Sequence, residues 1–445
     1  MSSSSPVRRL AVVLAAGSIL LIPLSAAAIS PAQIAEAVPA VAAPSRWQSL
    51  RELALRYESQ TQSLEQLGLD SQAIVRLWNR FGGDLSQVVK ESVLSPAWAQ
   101  VLAQPNSREE LLDRYSAYLQ EHAELSAQEV VLQVNMGLDR PFYQDTEVLS
   151  PSEDSQDAPI LVNKYYALPQ NYTPELVPLT GLGSGSLTPE AAQAFAKMAQ
   201  AAEEDGISLR SVSAYRSYST QKGLYNRYIS QYGQRLTDTF SARAGYSEHQ
   251  TGLALDINTA STQAHFENTA DYAWLQEHCA QYGFLLRYPE GKDDITGYRF
   301  EPWHYRYVGT EIASVCMEQG LTLEEYLAQQ PSGWGEAPAI LWEGQALTLS
   351  SPPLRLEEDW YLPVTETALA LGWTGTEEAG AAVLTNGEHQ IECSAGQRCR
   401  VDGVTLRFTD PVLSMGGTLY LSVADLCSAL GLEFQETEEG FVLTA

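Results

Sequence analysis

Basic residues are scarce in this chain: 27 Lys and Arg stand against 55 Asp and Glu, a formal charge of −28 over 445 residues. Such a surplus repels nucleic acid phosphates and anionic headgroups, so a nucleic acid partner is not expected. Cysteine is also sparse. Cys279, Cys316, Cys393, Cys399 and Cys427 are too few and too irregularly spaced for a disulfide framework or a CxxC metal cluster. Cys279–Cys316 and Cys393–Cys399 pairs are conceivable, but each cysteine is expected to be a small buried residue. Long apolar runs are confined to one, at 10–24. The helical HExxH zinc motif is absent, as is Ser-x-x-Lys accompanied by its partner motifs, which disfavours a serine-nucleophile carboxypeptidase.

What is present suggests several modules, since the length exceeds one ordinary core. Residues 1–28 read as an export signal: Arg8 and Arg9, the apolar run, then Ser25-Ala26-Ala27-Ala28. An uncleaved membrane anchor is the alternative, and a membrane is a partner only in that case. Either way the rest of the chain is expected outside the cytoplasm. An Ala/Pro-rich tether at 29–45 follows. Residues 46–148 read as helical, with Trp47, Leu50, Ala54 and Tyr57 at helical spacing, as are Ile74, Leu77, Trp78 and Phe81. Ser107 to Glu110 has the capping-box pattern before a helix at 111–119. A polar seam at 149–159 separates this region from 160–330. There, Thr188 and Pro189 start a helix with Phe195, Met198 and Ala202 as its buried stripe, 207–215 reads as a strand, and Leu224, Tyr225 and Tyr228 mark another helix. A helix from Trp274 ends at Gly283 before a strand at Leu285. Mixed in this order, the elements give an α+β domain, a small antiparallel sheet flanked by helices.

Residues 339–445 contain a repeat. Gly344, Leu347, Pro352, Tyr361, Leu362, Leu371 and Gly372 recur 59 residues later as Gly403, Leu406, Pro411, Tyr420, Leu421, Leu430 and Gly431. Each unit reads as a hairpin, a turn, a strand ending in YLP or YLS, and a short helix. This mainly β module resembles the copper amine oxidase N-terminal-like domain found on exported bacterial proteins. Copper is not implied, because His389 stands alone and Cys393 and Cys399 lack matching ligands. The resemblance implies a surface or cell-wall-binding appendage, with a purely structural role as the alternative.

The chemistry concentrates in two short segments, 246–258 and 301–308, which hold His249, Asp256, Glu301 and His304. Gly252 gives the chain freedom to turn between His249 and Asp256. Two imidazoles and a carboxylate make a three-ligand Zn2+ set with a fourth position open to water, leaving Glu301 available as a base. Amide hydrolysis also needs a cation for an oxyanion or substrate carboxylate, and Arg216, just beyond the expected strand, is the best placed. A structural salt bridge is its alternative role. Taken singly, a His beside an acid is more often a capping or surface pair than a ligand, and only the conjunction favours a metal. His122, His265 and His278 read as bystanders.

These residues are similar to those of the VanY-like D-alanyl-D-alanine carboxypeptidases, zinc peptidases that trim peptidoglycan stem peptides. The likeness runs through Leu161-Val162-Asn163-Lys164, Ala214-Tyr215-Arg216-Ser217, Gln221, Ser247-Glu248-His249-Gln250-Thr251-Gly252, Asp256, Tyr282-Gly283-Phe284, Arg287-Tyr288-Pro289 and Glu301-Pro302-Trp303-His304. It implies that His249, Asp256 and His304 bind zinc, that Glu301 is the catalytic base and acid, and that the catalytic Arg216 stabilises the tetrahedral intermediate and binds substrate. Gln221 and Ser247 would contact the substrate peptide, though Gln221 could be a first-turn helix residue and Ser247 a turn residue. The resemblance leaves open D,D-carboxypeptidase, L,D-carboxypeptidase, D,D-dipeptidase or endopeptidase specificity. A different class, a non-catalytic wall-binding protein, is the remaining alternative.

Overall fold

The computed structural model describes residues 44–85, 96–151, 159–406, 410–437 and 440–445. The export segment at 1–28, nearly all of the tether and most of the polar seam lie outside them. Among the described residues no helix is long and apolar enough to cross a membrane. The chain divides into two compact units. One comprises 339–352, 361–445 and the described residues up to 55; the other comprises 56–338 and 353–360. The fold class is α+β.

The larger unit is built on a four-stranded antiparallel sheet. Its strands are β1 (Leu209–Ser213), β2 (Ala254–Thr259), β3 (Phe284–Leu286) and β4 (His304–Tyr307), in spatial order β1-β2-β4-β3. Alternation decides its faces. Leu255, Ile257, Phe284, Leu286 and Tyr305 face a core that α1 (Pro189–Glu204) fills with Phe195 and Met198, and α3 (Ala270–His278) with Trp274 and Leu275. Phe195 is fully buried, which contributes about 2–3 kcal/mol of hydrophobic stabilisation. Between these lies α2 (Tyr218–Tyr232), and after β4 come α4 (Thr310–Gln319) and α5 (Leu323–Gln329). Thr188 and Pro189 start α1 as expected. The helix expected from Trp274 begins earlier, at Ala270, and tightens to a 3-10 turn at Cys279–Tyr282 before Gly283.

The helices preceding this sheet have their own core of Val101, Tyr115, Val130, Val131 and Val134. The capping box expected at Ser107 does not form. Ser107 is fully buried and its hydroxyl donates to the Val101 carbonyl, so the chain enters the helix Leu112–Glu121 through a 3-10 turn. Capping boxes occur instead at Ser126 with Glu129 and at Thr322 with Glu325. The second starts α5, whose Ala328 carbonyl accepts from Asn106 and Asn135 of the helical region.

Within 339–445 the 59-residue repeat reappears in space. Asp359–Pro363 and Val364–Ala370 correspond to Thr418–Ser422 and Val423–Leu430. The two strands pair antiparallel, Tyr361 opposite Ser422 and Pro363 opposite Tyr420, so the equivalent strands meet about a local two-fold axis. Side chains follow suit. Glu366 accepts from the Ser350 and Ser351 amides, and 59 residues on Asp425 accepts from the Asp410 amide. Each repeat also ends in a hairpin that the sequence reading lacks, Thr374–Glu378 with Ala381–Thr385 and Glu433–Thr437 with Gly440–Thr444.

Two cysteine expectations divide. Cys279, Cys316 and Cys427 are free and buried. Cys393 and Cys399 form a disulfide instead. The strands Gln390–Ser394 and Arg400–Val401 pair antiparallel, and the six-residue separation folds one thiol back onto the other.

Candidate active site

Strand register assembles the centre. Asp256 on β2 lies directly opposite His304 on β4, and Ser213 at the end of β1 pairs with Asp256 on its other side, after a bulge. Directly opposed residues share a face, here the face away from the apolar core. His249 arrives from a 3-10 turn, Glu248–Thr251, that Gly252 closes in the left-handed region at φ 71°. A Cβ there would come to 3.0 Å from side-chain atoms of Leu176 and Pro174, which would have to give way slightly, so the demand for glycine is chiefly conformational. The turn is clamped to the end of β1: the Arg216 amide donates to the His249 carbonyl, and His249 Nδ1 lies 2.7 Å from the Ala214 carbonyl.

With Nδ1 so occupied, His249 turns Nε2 toward Asp256 Oδ1, 3.5 Å away, and His304 brings Nδ1 to 3.3 Å from the same oxygen. The three donors lie within 4.8 Å of one another, and they are the His/Cys/Asp/Glu group of metal-binding geometry found among the described residues. Asp256 Oδ1 is buried and has no hydrogen-bond partner. A buried carboxylate oxygen left unpaired is costly, whereas an ion between it and two imidazoles would satisfy all three. The donor set therefore fits zinc.

Without an ion, the buried groups of the site perturb one another strongly. Burial alone would raise the Asp256 carboxyl, but the His249 and His304 imidazoles hold it well below the usual range. Burial also opposes charge on His304, yet Asp256 and Glu248 carry it up to about 9. His249 is pulled down, by burial first and then by Arg216 against the opposing pull of Asp256. Glu301, only 8% exposed, has its Oε2 3.8 Å from His304 Nδ1. Burial, with Asp256 adding to it, pushes the Glu301 carboxyl up to about 7, a value suited to proton transfer near neutral pH.

Arg216 sits between β1 and α2, where Ser217 caps the helix by accepting from the Thr220 amide. Its guanidinium donates to Gln221 Oε1 at 2.7 Å and Ser213 Oγ at 2.9 Å, and stands 3.9 Å from Asp256 Oδ2. Gln221 Nε2 donates to the Ala242 carbonyl, so the side chain braces Arg216 while still lining the cavity. Ser247 is buried. All seven residues line one cavity of about 210 Å³, with Tyr228, Phe240 and Trp303 among its other walls. The bystander histidines lie elsewhere: His278 stacks on Trp274 at 4.5 Å, half-buried His122 packs against Tyr118 beside Glu124, and His265 is exposed beside Glu267.

Four residues given no role from sequence lie beneath the site. Glu248 Oε1 accepts from Arg287 Nε at 2.8 Å and Arg306 Nη1 at 2.9 Å, and Arg287 forks onto Glu324 at 2.7 and 2.8 Å. All four side chains are fully buried. Burial would raise the Glu248 carboxyl, but the two guanidinium groups hold it far below the usual range. The available signal was the placement of arginines in apolar strand-forming runs, Arg287 after Phe284–Leu286 and Arg306 within β4.

A compact His/Asp/His set with an adjoining buried glutamate defines the chain as a peptidase when joined to its sequence matches. The family model for VanY, D-alanyl-D-alanine carboxypeptidase, matches residues 184–310. YodJ of Bacillus subtilis (strain 168), which carries a provisional carboxypeptidase name, is 40% identical over 204 residues, covering 42% of this chain and 75% of that protein. The bifunctional D-Ala-D-Ala dipeptidase and D-Ala-D-Ala carboxypeptidase VanXYC of Enterococcus gallinarum is 36% identical over 176 residues, 37% of this chain and 91% of the relative. A crystal structure of the D,D-pentapeptidase VanY from a VanB-type resistance cassette, in complex with Zn(II), is 36% identical and covers 38% of this chain and 97% of its own, with a TM-score of 0.35. The chain belongs to the VanY D-alanyl-D-alanine carboxypeptidase family.

Proposed function

We propose that this protein is an exported zinc-dependent D-alanyl-D-alanine carboxypeptidase that removes the terminal D-alanine from peptidoglycan stem peptides. The observation carrying this reading is the set His249, Asp256 and His304, with donor atoms within 4.8 Å of one another and Glu301 beside them. Those three residues would hold the ion. When bound, zinc lowers the pKa of a coordinated water towards ~7 and polarises a carbonyl. Glu301 takes the proton from the attacking water and returns it to the departing amine. Arg216, held by Gln221 and Ser213, offers its fork to the substrate carboxylate or to the oxyanion. Ser247 lines the same cavity within reach of the peptide. Tyr228, Phe240 and Trp303 supply aromatic walls against which the stem peptide would pack.

The bond cut is a choice made by the pocket. The Enterococcus gallinarum relative is named for both dipeptidase and carboxypeptidase activity, so D,D-dipeptidase is the second reading. The segment 1–28 would deliver the enzyme to its substrate outside the cytoplasm, and the C-terminal repeats would serve as a cell-wall-binding appendage. Incubating the protein with penta-, tetra- and tripeptide stems and identifying the released species by mass tests the proposal. Single D-alanine from the pentapeptide is expected, whereas D-alanine from the tetrapeptide only, hydrolysis only of added free D-alanyl-D-alanine to two D-alanines, or release of nothing would overturn it.

A further inference from the structure

Glu248 immediately precedes His249, yet it reaches a different set of partners. Its Oε1 is taken by Arg287 and Arg306, which leaves Oε2 facing His304 Nε2 at 3.5 Å. Both of these facing atoms are buried, and neither has a hydrogen-bond partner. Each is thus the group against which the other can be satisfied, by a closing movement of a few tenths of an ångström. On the other side of the ring, His304 Nδ1 faces Asp256 Oδ1. The second imidazole is arranged in mirror fashion, with His249 Nδ1 against the Ala214 carbonyl and Nε2 toward Asp256.

We propose that Glu248 is a positioning residue for the metal centre, whose carboxylate keeps the proton of His304 on Nε2 and so presents Nδ1 to the ion. This rests on the metal-site reading above. An acceptor on the far nitrogen of a ligating histidine fixes its tautomer and ring orientation, and its loss typically weakens metal binding about 10–100-fold. One turn of chain, Glu248–Thr251, thereby supplies one ligand and the group that aims the other. The carboxylate is itself held from outside. Arg287 grips Glu324 on α5, and α5 is tied through the Ala328 carbonyl to Asn106 and Asn135. A continuous set of contacts therefore runs from the helical region to His304.

The competing role for Glu248 is that of counter-charge to two buried arginines, with no bearing on the ligand. Glu248→Asp keeps the charge near both arginines but withdraws the carboxylate from His304 and the arginines alike, so the state of the His304 Nε2 proton is what separates the two; Glu248→Gln keeps the reach and loses the charge. Zinc affinity of the full chain, measured by competition with a chelator well below the unfolding temperature, is expected to fall about 10–100-fold in Glu248→Asp. In zinc-loaded wild type labelled with 15N-histidine, the His304 Nε2 is expected to carry a slowly exchanging proton. That second measurement stands even where a variant does not fold. A folded Glu248→Asp that binds zinc within about two-fold of wild type, or an unprotonated His304 Nε2 in the loaded wild type, overturns the inference. Zinc binding that Asp256→Ala abolishes and Glu248→Asp leaves intact refutes the positioning role alone; a wild type that binds no zinc refutes the metal-site reading with it.

Discussion

Replacing Glu301 with glutamine should improve the stability of the metal-free protein while destroying its catalysis. The carboxyl is buried and pushed from an ordinary 4.5 up to about 7. Between those values the folded chain keeps the proton that the unfolded chain releases, so stability is lost as pH rises through that window. The gap corresponds to ~3 kcal/mol at pH above 7. Glutamine has no charge to bury. Chelated Glu301→Gln is therefore expected to be more stable than chelated wild type by up to ~3 kcal/mol at pH 8, and to converge with it below about pH 4.5, as read from urea unfolding at each pH. In turnover the sign reverses, because the base must be ionised. Wild-type kcat/KM should rise with pH along a limb at or below about 7, since a bound cation can only lower the Glu301 value. The variant should lose that limb and ~10²–10⁴-fold in rate. An equal stability of the two chelated proteins at pH 8, or a limb lying above 7, would refute the reasoning.

Arg216→Lys keeps the charge but loses the two-pronged hold on Gln221 and Ser213. A drop in kcat/KM of ~10–100-fold is expected, the cost of charge-assisted hydrogen bonds of ~1.5–3 kcal/mol, and steady-state kinetics on a pentapeptide stem checks it. Gly252→Ala must adopt φ near 71° and push against Leu176 and Pro174. It should cost ~1–3 kcal/mol, seen as a lowered Tm, and weaken zinc binding through the displaced His249.

The donors were legible in sequence because they lie in two short segments whose residue types and order carry the chemistry. Their neighbours were not. Glu248, Arg287, Arg306 and Glu324 bond one another across 37–58 residues of chain, and the register that sets Leu285 opposite Arg306 helps bring them under the site. Gln221 was readable as a helix residue, but its hold on Arg216 depends on the turn between β1 and α2. Ser107 had the pattern of a cap, and burial redirected its hydroxyl to Val101. The repeat was visible as matching residues 59 apart; the two-fold pairing of its strands was not, because periodicity says nothing of which strands meet.

We propose that His249, Asp256 and His304 would hold a zinc ion that activates water toward a stem-peptide bond, with Glu301 moving the proton. Release of D-alanine from a pentapeptide stem, followed for wild type as prepared, after chelation, and after return of zinc, tests it most directly. Activity lost on chelation and restored by zinc in wild type, with Glu301→Gln binding zinc but not turning over, is expected. Undiminished release from the chelated protein would contradict it.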